Sequence, residues 1–288
     1  SGPGATNAVT GIADANADSV PMLVFTGQVA TKGIGKDAFQ EADIIGITMP
    51  ITKYNYQIRR TEDIPRIITE AIHIATSGRP GPVVIDLPKD IAAQEVSYIN
   101  DTTLSLPSYQ PTIEPNSLQL KKIVALLEKK KRPLLLVGGG VNYADAHDEL
   151  VAFAERLQIP VVSSLLGLGA MPVEHPLFLG MGGMHGSYAA NMALAETDYL
   201  INIGSRFDDR LASKPTMFLK NATVAHIDID PAEIGKIVKT HLPVVGDAKR
   251  ALEILLMVEK PKTSYNKWVE QVQDNAKRAP YSFEPEQG

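Results

Sequence analysis

Almost wholly apolar, strand-like runs that alternate with helical patterns constrain the fold of this chain most strongly. The runs Val20–Thr26, Leu134–Val137 and Val161–Ser163 are each followed at once by glycine or serine. Between such runs, apolar residues recur at helical spacing, as in Ile64–Ala75. Continuous apolar strands that alternate with helices are typical of parallel sheets covered on both faces. The sequence therefore predicts an α/β fold built from doubly wound parallel sheets.

The length and punctuation of the chain indicate two domains. Its 288 residues are 44% hydrophobic and 21% charged, which is typical of a globular protein with about two cores. Residues 93–115 lack an apolar period and are interrupted by prolines, so they predict a linker. We expect a first domain over residues 1–92, a second over 116–260, and a helix with a linker over 261–288.

Composition and missing motifs exclude several classes of function. The net charge of −5 gives no reason to expect nucleic acid or an anionic membrane as partner. No apolar run approaches the ~18–20 residues of a membrane span. The absence of cysteine excludes disulfides and thiol chemistry and fits a reducing cytosol. The sequence also lacks a His/Cys metal-ligand cluster, a G-x-S-x-G elbow and a P-loop.

Glycine-rich or charged loops follow the predicted strands of the second domain. Ligands of parallel sheets bind beyond the carboxyl ends of the strands, and the loops there are Gly138–Gly140, Ser164–Gly169, Gly182–Gly186, Gly204–Arg210, Asp228–Asp230 and Gly246–Asp247. Gly138–Gly140 can bring main-chain N–H groups near an anion, although a plain tight turn explains these glycines equally well. Tyr143 stands in place of the third glycine of G-x-G-x-x-G, which argues against an NAD-dependent dehydrogenase.

Each of these loops also has a purely structural interpretation. His185 alone is more often a structural histidine, the charges of Arg206–Arg210 can form an internal ion-pair network, and Asp228 can cap a turn. Loops of this kind after one strand after another nevertheless favour a single cleft. A carboxylate such as Asp228 at a strand end is typical of contact with ribose hydroxyls. The set therefore predicts a site for a dinucleotide.

Three side chains of the first domain are candidates for binding. The amide of Gln40 can hydrogen-bond a heterocycle, although a surface glutamine is the simpler interpretation. Arg79 lies between glycine and prolines and suits a phosphate or carboxylate. Lys89 follows a predicted strand, where its ammonium group can meet an anionic substrate. These residues indicate an anion site but leave the chemistry open.

Sequence strings along almost the whole chain resemble one known family. In order, they are SGPGATN, TGQV, IGKDAFQE, ATSGRPGPV, DLPKDI, VGGG, LLGLG, GMHG, GSRFDDR and HIDIDPAEIGK. Together they resemble the catalytic subunit of acetohydroxyacid (acetolactate) synthases. SGPG and GRPGP alone are typical of thiamine-diphosphate enzymes in general, whereas DAFQE with RFDDR narrows the resemblance to the FAD-containing biosynthetic type.

The resemblance implies a fold, a reaction and partners. The fold would be the C-terminal part of a pyrimidine-binding thiamine-diphosphate domain, followed by a Rossmann-like FAD-binding central domain. The enzymes condense two pyruvates, or pyruvate and 2-ketobutyrate, with release of CO2, in branched-chain amino-acid biosynthesis. Their cofactors are thiamine diphosphate, FAD and Mg2+. We expect 2-ketoacid substrates, a cytoplasmic homodimer or homotetramer with the active site at the subunit interface, and a regulatory small subunit.

The resemblance also assigns roles to individual residues. Ser19 and Gln40 would lie beside thiamine diphosphate, and Phe39 and Lys89 near the substrate entry. The residues expected to line FAD are Arg79, Gly139, Ser164, Leu165, Gly182, Gly183, Met184, His185, Gly204, Ser205, Arg206, Phe207, Asp208, Asp228, Ile229, Asp247 and Ala248.

The position of the motifs predicts an internal fragment. In this family the glutamate that activates the aminopyrimidine precedes SGPG, and the Mg2+ and diphosphate domain follows the last motif found here. We therefore expect no metal site in this chain, and no activity from the chain alone. The alternatives are another thiamine-diphosphate enzyme with FAD or ADP in the same cleft, of the pyruvate oxidase or glyoxylate carboligase type, and a non-catalytic nucleotide-binding module.

Overall fold

The chain divides into two compact units. The computed structural model describes residues 1–97, 104–214 and 217–280. The first unit spans Ser1–Pro111 and the second Thr112–Gly288, so the division lies inside the predicted linker. Within the predicted linker and the predicted C-terminal segment, residues 98–103 and 281–288 lie outside the described residues.

The first unit contains a parallel three-stranded sheet. Its strands pair in the order β1-β3-β2 and are β1 (Met22–Gln28), β2 (Tyr54–Gln57) and β3 (Pro82–Pro88). Its helices are α1 (Pro3–Asn7), α2 (Val9–Ala17), α3 (Ile44–Thr48), α4 (Ile64–Thr76) and α5 (Lys89–Ala92). The strongly amphipathic α4 begins at its predicted position, with Pro65 in the first turn.

Helices cover both faces of the central strand β3. Val84 packs in a cluster with Ile12 and Ile44, which belong to α2 and α3. Val83 and Ile85 lie in a different cluster, together with buried residues of α4. Because successive residues of a strand point to opposite faces, the two clusters occupy opposite sides of the sheet. The uninterrupted apolar sequence of β3 follows from this double coverage.

Part of the predicted linker is folded onto the first unit. The hydroxyl of Tyr109 accepts a hydrogen bond from Lys53 Nζ at 2.9 Å and donates one to the carbonyl of Ser77 at 2.9 Å. Leu106 and Tyr109 also pack against the apolar cluster that contains Val83 and Ile85. Residues 104–111 of the predicted linker thus belong to the first unit.

The second unit contains a parallel six-stranded sheet of order β6-β5-β4-β7-β8-β9. The strands are β4 (Pro133–Val137), β5 (Val161–Ser163), β6 (Phe178–Met181), β7 (Tyr199–Ile203), β8 (Thr223–Asp228) and β9 (Leu242–Val245). The helices are α6 (Ser117–Leu127), α7 (Gly139–Tyr143), α8 (His147–Leu157), α9 (Tyr188–Glu196), α10 (Ala248–Met257) and α11 (Asn266–Arg278). This is the strand order of the Rossmann fold, and the predicted doubly wound α/β class is confirmed.

The helices of the second unit pack in two groups around one large core. Helices α6 and α8 both contact α10, whereas α9 contacts α11. Every residue of the central strands β4 and β7 is buried. Helix α8 buries one stripe, which includes Leu150, Phe153 and Leu157, as its helical spacing predicts.

Helix α11 belongs to the core of the second unit. Trp268 is 3% exposed and donates through Nε1 to the carbonyl of Pro133 at 2.8 Å. Tyr265 is also buried, and its hydroxyl donates to the carbonyl of Leu127 at 2.7 Å. The predicted end of the central domain at residue 260 thus falls inside this folded unit.

Tyr265 gives a pH-dependent prediction for the stability of the second unit. Burial, with a smaller contribution from Asp198, raises the pKa of this phenol from 10.0 to about 12. Because the folded pKa is the higher one, the stabilisation is complete below pH 10 and is lost as the pH rises through 12. Tyr265→Phe should lower the free energy of unfolding at pH 8 by about 1 kcal/mol, the value of one buried hydrogen bond.

The two proteins can be compared by urea unfolding, followed through the fluorescence of Trp268, the one tryptophan of the 288 residues. The gap between wild type and Tyr265→Phe should narrow from pH 10 to pH 12. A gap that stays constant over this range would contradict the assignment.

Candidate functional site

The second unit has a switch in strand order at its centre. From β4 the chain proceeds outward through β5 and β6, and then returns to place β7 on the other side of β4. The loops after β4 and β7 therefore diverge at the carboxyl edge and leave a crevice, which is where open α/β sheets bind ligands. The loops starting at Gly138 and Gly204 follow these two strands.

The glycines at this switch point allow the backbones of two loops to touch. A Cβ atom on Gly138 would lie 2.2 Å from the carbonyl oxygen of Gly204 and 2.4 Å from Cα of Ser205. A Cβ on Gly204, which has φ +60°, would lie 2.6 Å from Cα of Gly140. These positions therefore accept no side chain without movement of the main chain.

The proposed anion cradle of three glycine N–H groups is largely used within the protein. Gly138 N donates to the carbonyl of Ile203 at 3.0 Å, and Gly140 N donates to that of Gly204 at 3.0 Å. The helix that follows has only five residues, so its dipole contributes little. The sequence interpretation of these glycines as an anion cradle is therefore wrong for two of the three. The alternative, close packing in a tight turn, describes them better.

Asp228 ends β8 with its carboxylate at the carboxyl edge of the sheet. Its Oδ1 accepts a hydrogen bond from the main-chain N of Asp230 at 2.9 Å. Its Oδ2 lies 3.6 Å from Nε2 of His226, which has no exposed surface. The residue itself is 8% exposed. A carboxylate in this position has free acceptor capacity for hydroxyl groups.

Four of the five buried polar side-chain atoms without partners, among the described residues, lie in the carboxyl halves of three strands. They are Ser163 Oγ on β5, Asn202 Oδ1 on β7 and both ring nitrogens of His226 on β8, while the fifth is Glu149 Oε2 on α8. Buried polar atoms are nearly always hydrogen-bonded, to protein, water or ligand. Their concentration at this end of the sheet, together with Asp228, fits a polar ligand with several hydroxyl groups.

The loop of Gly182–Gly186 follows β6 and is pinned by one asparagine. Asn191 of α9 accepts from Gly183 N at 2.8 Å and donates back to the carbonyl of Gly183 at 3.0 Å. Gly183 has φ +105°. Met184 and His185 are exposed within the loop, and a cavity of about 460 Å³ opens beside Gly183 and Met184.

The charged residues of the loop that follows β7 do not form the internal ion-pair network considered from the sequence. Asp208 caps the next turn by accepting from the main-chain N of Arg210 at 3.0 Å. Asp209 and Arg210 form an exposed pair at 3.7 Å. Arg206 makes no ion pair with any residue that the structure describes. An internal network is therefore the wrong description of this loop, and Arg206 is free to meet an anion.

Several predicted FAD residues contribute main chain or packing. Phe207 is 3% exposed, and its ring meets that of His226 edge-on at 5.3 Å between centroids. Ala248 is buried, and Asp247 caps α10 by accepting from the N of Arg250 at 3.0 Å. Gly139 is the first residue of α7, and the remaining predicted residues of this unit follow the ends of its strands: Ser164, Leu165, Gly182, Gly204, Ser205 and Ile229. Ser164 is half-buried, whereas Leu165 is 68% exposed.

Arg79 lies in the first unit, apart in sequence from the other predicted FAD residues. Its Nε donates to Ser19 Oγ at 2.9 Å, and a terminal nitrogen reaches the carbonyl of Ala17 at 3.4 Å. Ser19 has φ +60°. The structure thus joins Arg79 to Ser19, which was predicted to neighbour thiamine diphosphate.

The first unit brings two of its motifs into contact. A Cβ on Gly2, in SGPG, would lie 2.3 Å from the carbonyl oxygen of Gln40, in DAFQE. Gln40 has φ +63° and an exposed side chain, and Phe39 is 89% exposed. Lys89 is exposed at the start of α5, directly after β3.

Two carboxylates brace the loop that carries Phe39 and Gln40. Glu41 accepts from the main-chain N–H groups of Gly35 and Ala38, and these bonds lower the pKa of its carboxyl. Asp90 accepts from the hydroxyl of Thr31 at 2.6 Å and from its N at 3.0 Å, which likewise lowers its pKa. Both ends of the loop are therefore held by ionised groups.

Beneath this loop, the buried carboxylate of Asp86 collects hydrogen bonds. It accepts from Thr26 Oγ1 at 2.8 Å, Gln28 Nε2 at 3.1 Å and Gln57 Nε2 at 3.2 Å. Gln28 also donates to the carbonyl of Ala42 at 3.0 Å, which ties the sheet to the far end of the loop. Asp86 is the first aspartate of the DLPKDI string, and nothing in that string predicts these hydrogen bonds.

Two other kinds of site are absent from residues 1–97, 104–214 and 217–280. Among these residues no group of three or more His, Cys, Asp or Glu side chains could hold a metal ion. No helix among them is both long and apolar enough to cross a bilayer.

Two family models match this chain. The N-terminal thiamine pyrophosphate (TPP) binding domain of thiamine pyrophosphate enzymes matches residues 1–47, and the central domain of the same enzymes matches residues 120–255. The chain belongs to the thiamine pyrophosphate enzymes. The matched central domain is the second unit, with its Rossmann strand order.

Relatives support the resemblance found in the motifs. The chain is 60% identical over 286 residues to the acetolactate synthase large subunit of Lactococcus lactis, covering 99% of this chain and 50% of the relative. It is 48% identical to the acetolactate synthase large subunit of Corynebacterium glutamicum, covering 100% and 47%. It is 49% identical to the acetolactate synthase isozyme 3 large subunit of Escherichia coli, covering 89% and 45%. The predicted resemblance is confirmed, and the chain spans about half the length of the curated relatives it matches.

Proposed function

We propose that this chain is part of the catalytic subunit of an acetolactate synthase. The intact protein would condense two pyruvates, or pyruvate and 2-ketobutyrate, with release of CO2, in branched-chain amino-acid biosynthesis. The observation that carries this proposal is the 60% identity, over nearly the whole chain, to the acetolactate synthase large subunit of Lactococcus lactis.

The first unit would provide part of the thiamine diphosphate site. Its match to the N-terminal binding domain and the contact between SGPG and Gln40 support this role. When bound, the cofactor would supply the nucleophilic carbon and the electron sink that decarboxylation of a 2-ketoacid requires. Gln40 and Ser19 would hold the cofactor, Lys89 would attract the substrate carboxylate, and Phe39 would shield the entry from water.

The second unit would hold FAD across its switch-point crevice. The Asp228 carboxylate would accept from ribose hydroxyls, and the free guanidinium of Arg206 would pair with a phosphate. The unpartnered atoms of Ser163 and Asn202 are acceptors and donors of the type that such a ligand satisfies. Leu165 and Met184 expose apolar surface suited to a ring system.

Further parts of the proposal concern the assembly. Mg2+ would be bound by residues outside this chain. The intact protein would form a cytoplasmic homodimer or homotetramer with active sites at the subunit interface. The designation of the relatives as large subunits supports a smaller regulatory subunit as an additional partner.

A product assay on the intact protein tests the reaction. The protein is incubated with pyruvate, thiamine diphosphate, Mg2+ and FAD, while acetolactate, CO2 and dissolved oxygen are followed. Acetolactate with CO2 release and no oxygen uptake is expected. Oxygen uptake would indicate a pyruvate oxidase instead, and consumption of glyoxylate in place of pyruvate a carboligase of that type. Bound FAD without any CO2 release would indicate a non-catalytic module.

Asp228→Asn tests the proposed flavin site. Loss of a charge-assisted hydrogen bond to a ribose hydroxyl should raise the Kd for FAD about 10- to 100-fold, equivalent to about 1.5–3 kcal/mol. Flavin titration of the intact apoprotein, by fluorescence, measures it. Asp209→Asn is the matched control, because the Asp209 side chain is 81% exposed in the same region of the sequence. Equal Kd values for the two variants would contradict the role of Asp228.

A further inference from the structure

The turn Ser164–Gly169, which follows β5, exposes the side chains of three leucines. Leu165, Leu166 and Leu168 are 68%, 43% and 44% exposed, and a 3₁₀ turn spans Leu165–Gly167. Burial of these side chains therefore contributes little to holding the turn. Its main chain is linked to β4 by one bond, from Ser164 N to the carbonyl of Val137 at 2.8 Å.

One asparagine side chain connects this turn to the loop after β4. Asn142 of α7 donates through Nδ2 to the carbonyls of Leu166 at 2.8 Å and Leu168 at 3.1 Å. Two carbonyl acceptors settle the orientation of the amide, because its oxygen could not face them. The same turn packs against Gly139, because a Cβ atom on Gly139 would lie 3.2 Å from Cβ of Leu166.

A histidine faces the remaining oxygen of this amide. Nε2 of His147 lies 3.1 Å from Asn142 Oδ1, so the ring nitrogen donates and the amide oxygen accepts. On its other side, Nδ1 of His147 lies 3.3 Å from Oδ1 of Asp145. Lys249 of α10 donates to the carbonyl of Asp145 at 2.9 Å. A chain of polar contacts thus runs from α10 to the exposed turn, and within it His147 Nε2 donates to Asn142 while Nδ1 lies beside Asp145.

From this geometry we infer that Asn142, oriented by His147, is a positioning residue for the turn Ser164–Gly169. The inference rests on the proposed function in one respect: Ser164 and Leu165 of this turn form one wall of the proposed flavin site. Asn142 itself touches no proposed cofactor atom. Asn142 fixes the position of the turn Ser164–Gly169, and this position in turn sets the affinity of the site for the dinucleotide.

Three variants test this inference in the intact protein. Asn142→Asp keeps the size of the side chain but replaces both N–H donors by an oxygen facing two carbonyls. His147→Gln keeps an N–H donor toward Asn142, whereas His147→Leu removes it. Hydrogen exchange at the amides of Gly167, Leu168 and Ala170 is measured without flavin, and the Kd for FAD is measured separately.

Exchange at these amides should accelerate about 10-fold in Asn142→Asp and about 3-fold in His147→Leu, for losses of about one hydrogen bond or less. His147→Gln should match wild type, which a merely space-filling role of His147 would not explain. The Kd for FAD should rise in the same order. Unchanged exchange in both Asn142→Asp and His147→Leu would overturn the inference.

The outcome also separates this inference from the proposed function. A wild-type protein that binds no FAD would contradict the flavin site, while the exchange data would still decide the role of Asn142. Flavin binding that is unaffected by a demonstrably loosened turn would overturn the link between the turn and the site. Thermal unfolding of His147→Leu and His147→Gln checks that both variants are folded.

Discussion

Replacing Asp86 by alanine is expected to lower the free energy of unfolding of the first unit by about 4 kcal/mol, because three donors lose their common acceptor at about 1–3 kcal/mol each. Asp86 has no exposed surface, and its partners Thr26, Gln28 and Gln57 come from both neighbouring strands of the sheet. Water cannot reach the carboxylate in the folded state, so no solvent replaces the lost bonds. We also expect the loop tied down through Gln28 and Ala42 to loosen.

Hydrogen exchange along β1 and β3 at increasing urea measures this effect within the first unit. Thr26→Val is the matched control, since it removes one bond to the same carboxylate and should lower the stability by about 1 kcal/mol. Asp86→Asn keeps the shape but turns an N–H group toward other donors, so it should fall between the two. An Asp86→Ala protein as stable as Thr26→Val would show that Asp86 is not the centre of the network.

Replacing Gly138 by alanine should destabilise the second unit by about 3 kcal/mol, the upper range for overpacking, because the new methyl group meets main-chain atoms. The nearest of them, the carbonyl oxygen of Gly204 and Cα of Ser205, are 2.2 and 2.4 Å from the added Cβ. Backbone atoms cannot move aside as a side chain can. The contact between the loops after β4 and β7 must therefore open, and the proposed flavin site opens with it.

Trp268 lies in the core of the second unit and reports its unfolding in urea. Gly11→Ala is the control for a glycine in open space, because nothing lies within 4 Å of a Cβ there. That substitution lies in α2 of the first unit and should leave the Trp268 transition unchanged. A Gly138→Ala midpoint equal to that of wild type would contradict the close approach of the two loops.

Strong patterns in the sequence predicted the centre of each sheet. The predicted run Val161–Ser163 has the bounds of β5, and the predicted run Leu134–Val137 lacks only the first residue of β4. Helix α4 begins at its predicted residue, whereas β1 (Met22–Gln28) begins and ends two residues after the predicted Val20–Thr26. A strand buried on both faces is apolar throughout, and a strongly amphipathic helix repeats its apolar residues at helical spacing. Both patterns can be recognised in the sequence. The prediction works where burial is complete.

Three of the four strands at the sheet edges were missed for the opposite reason, whereas a strand was predicted near the edge strand β1. No strand is predicted at Tyr54–Gln57, Phe178–Met181 or Leu242–Val245, each of which has only four residues. They are only partly buried, and one contains a proline and another a glycine with φ +92°. Their pairing comes from neighbours distant in sequence, which no local pattern records.

The candidate site was likewise predictable only in part. Loops after strand ends could be located, because the ends of parallel strands share one edge of a sheet. Their internal bonds could not, and three asparagines escaped attention: Asn142, Asn191 and Asn202. Each donates to main-chain carbonyls of a loop at this edge, and all but Asn202 reach it from a helix. Asparagine at such positions has no characteristic spacing, so only the folded chain reveals these contacts.

The same short edge strands also protect the second unit from growing into larger assemblies. An open sheet edge can recruit a strand from another molecule and start aggregation. Here both edges, β6 and β9, are four residues long, Pro243 lacks an N–H group, and the pairing of β6 with β5 shifts register. Such edges are poor templates for a foreign strand. We therefore expect copies of this unit to associate through helices or loops rather than by continuing the sheet.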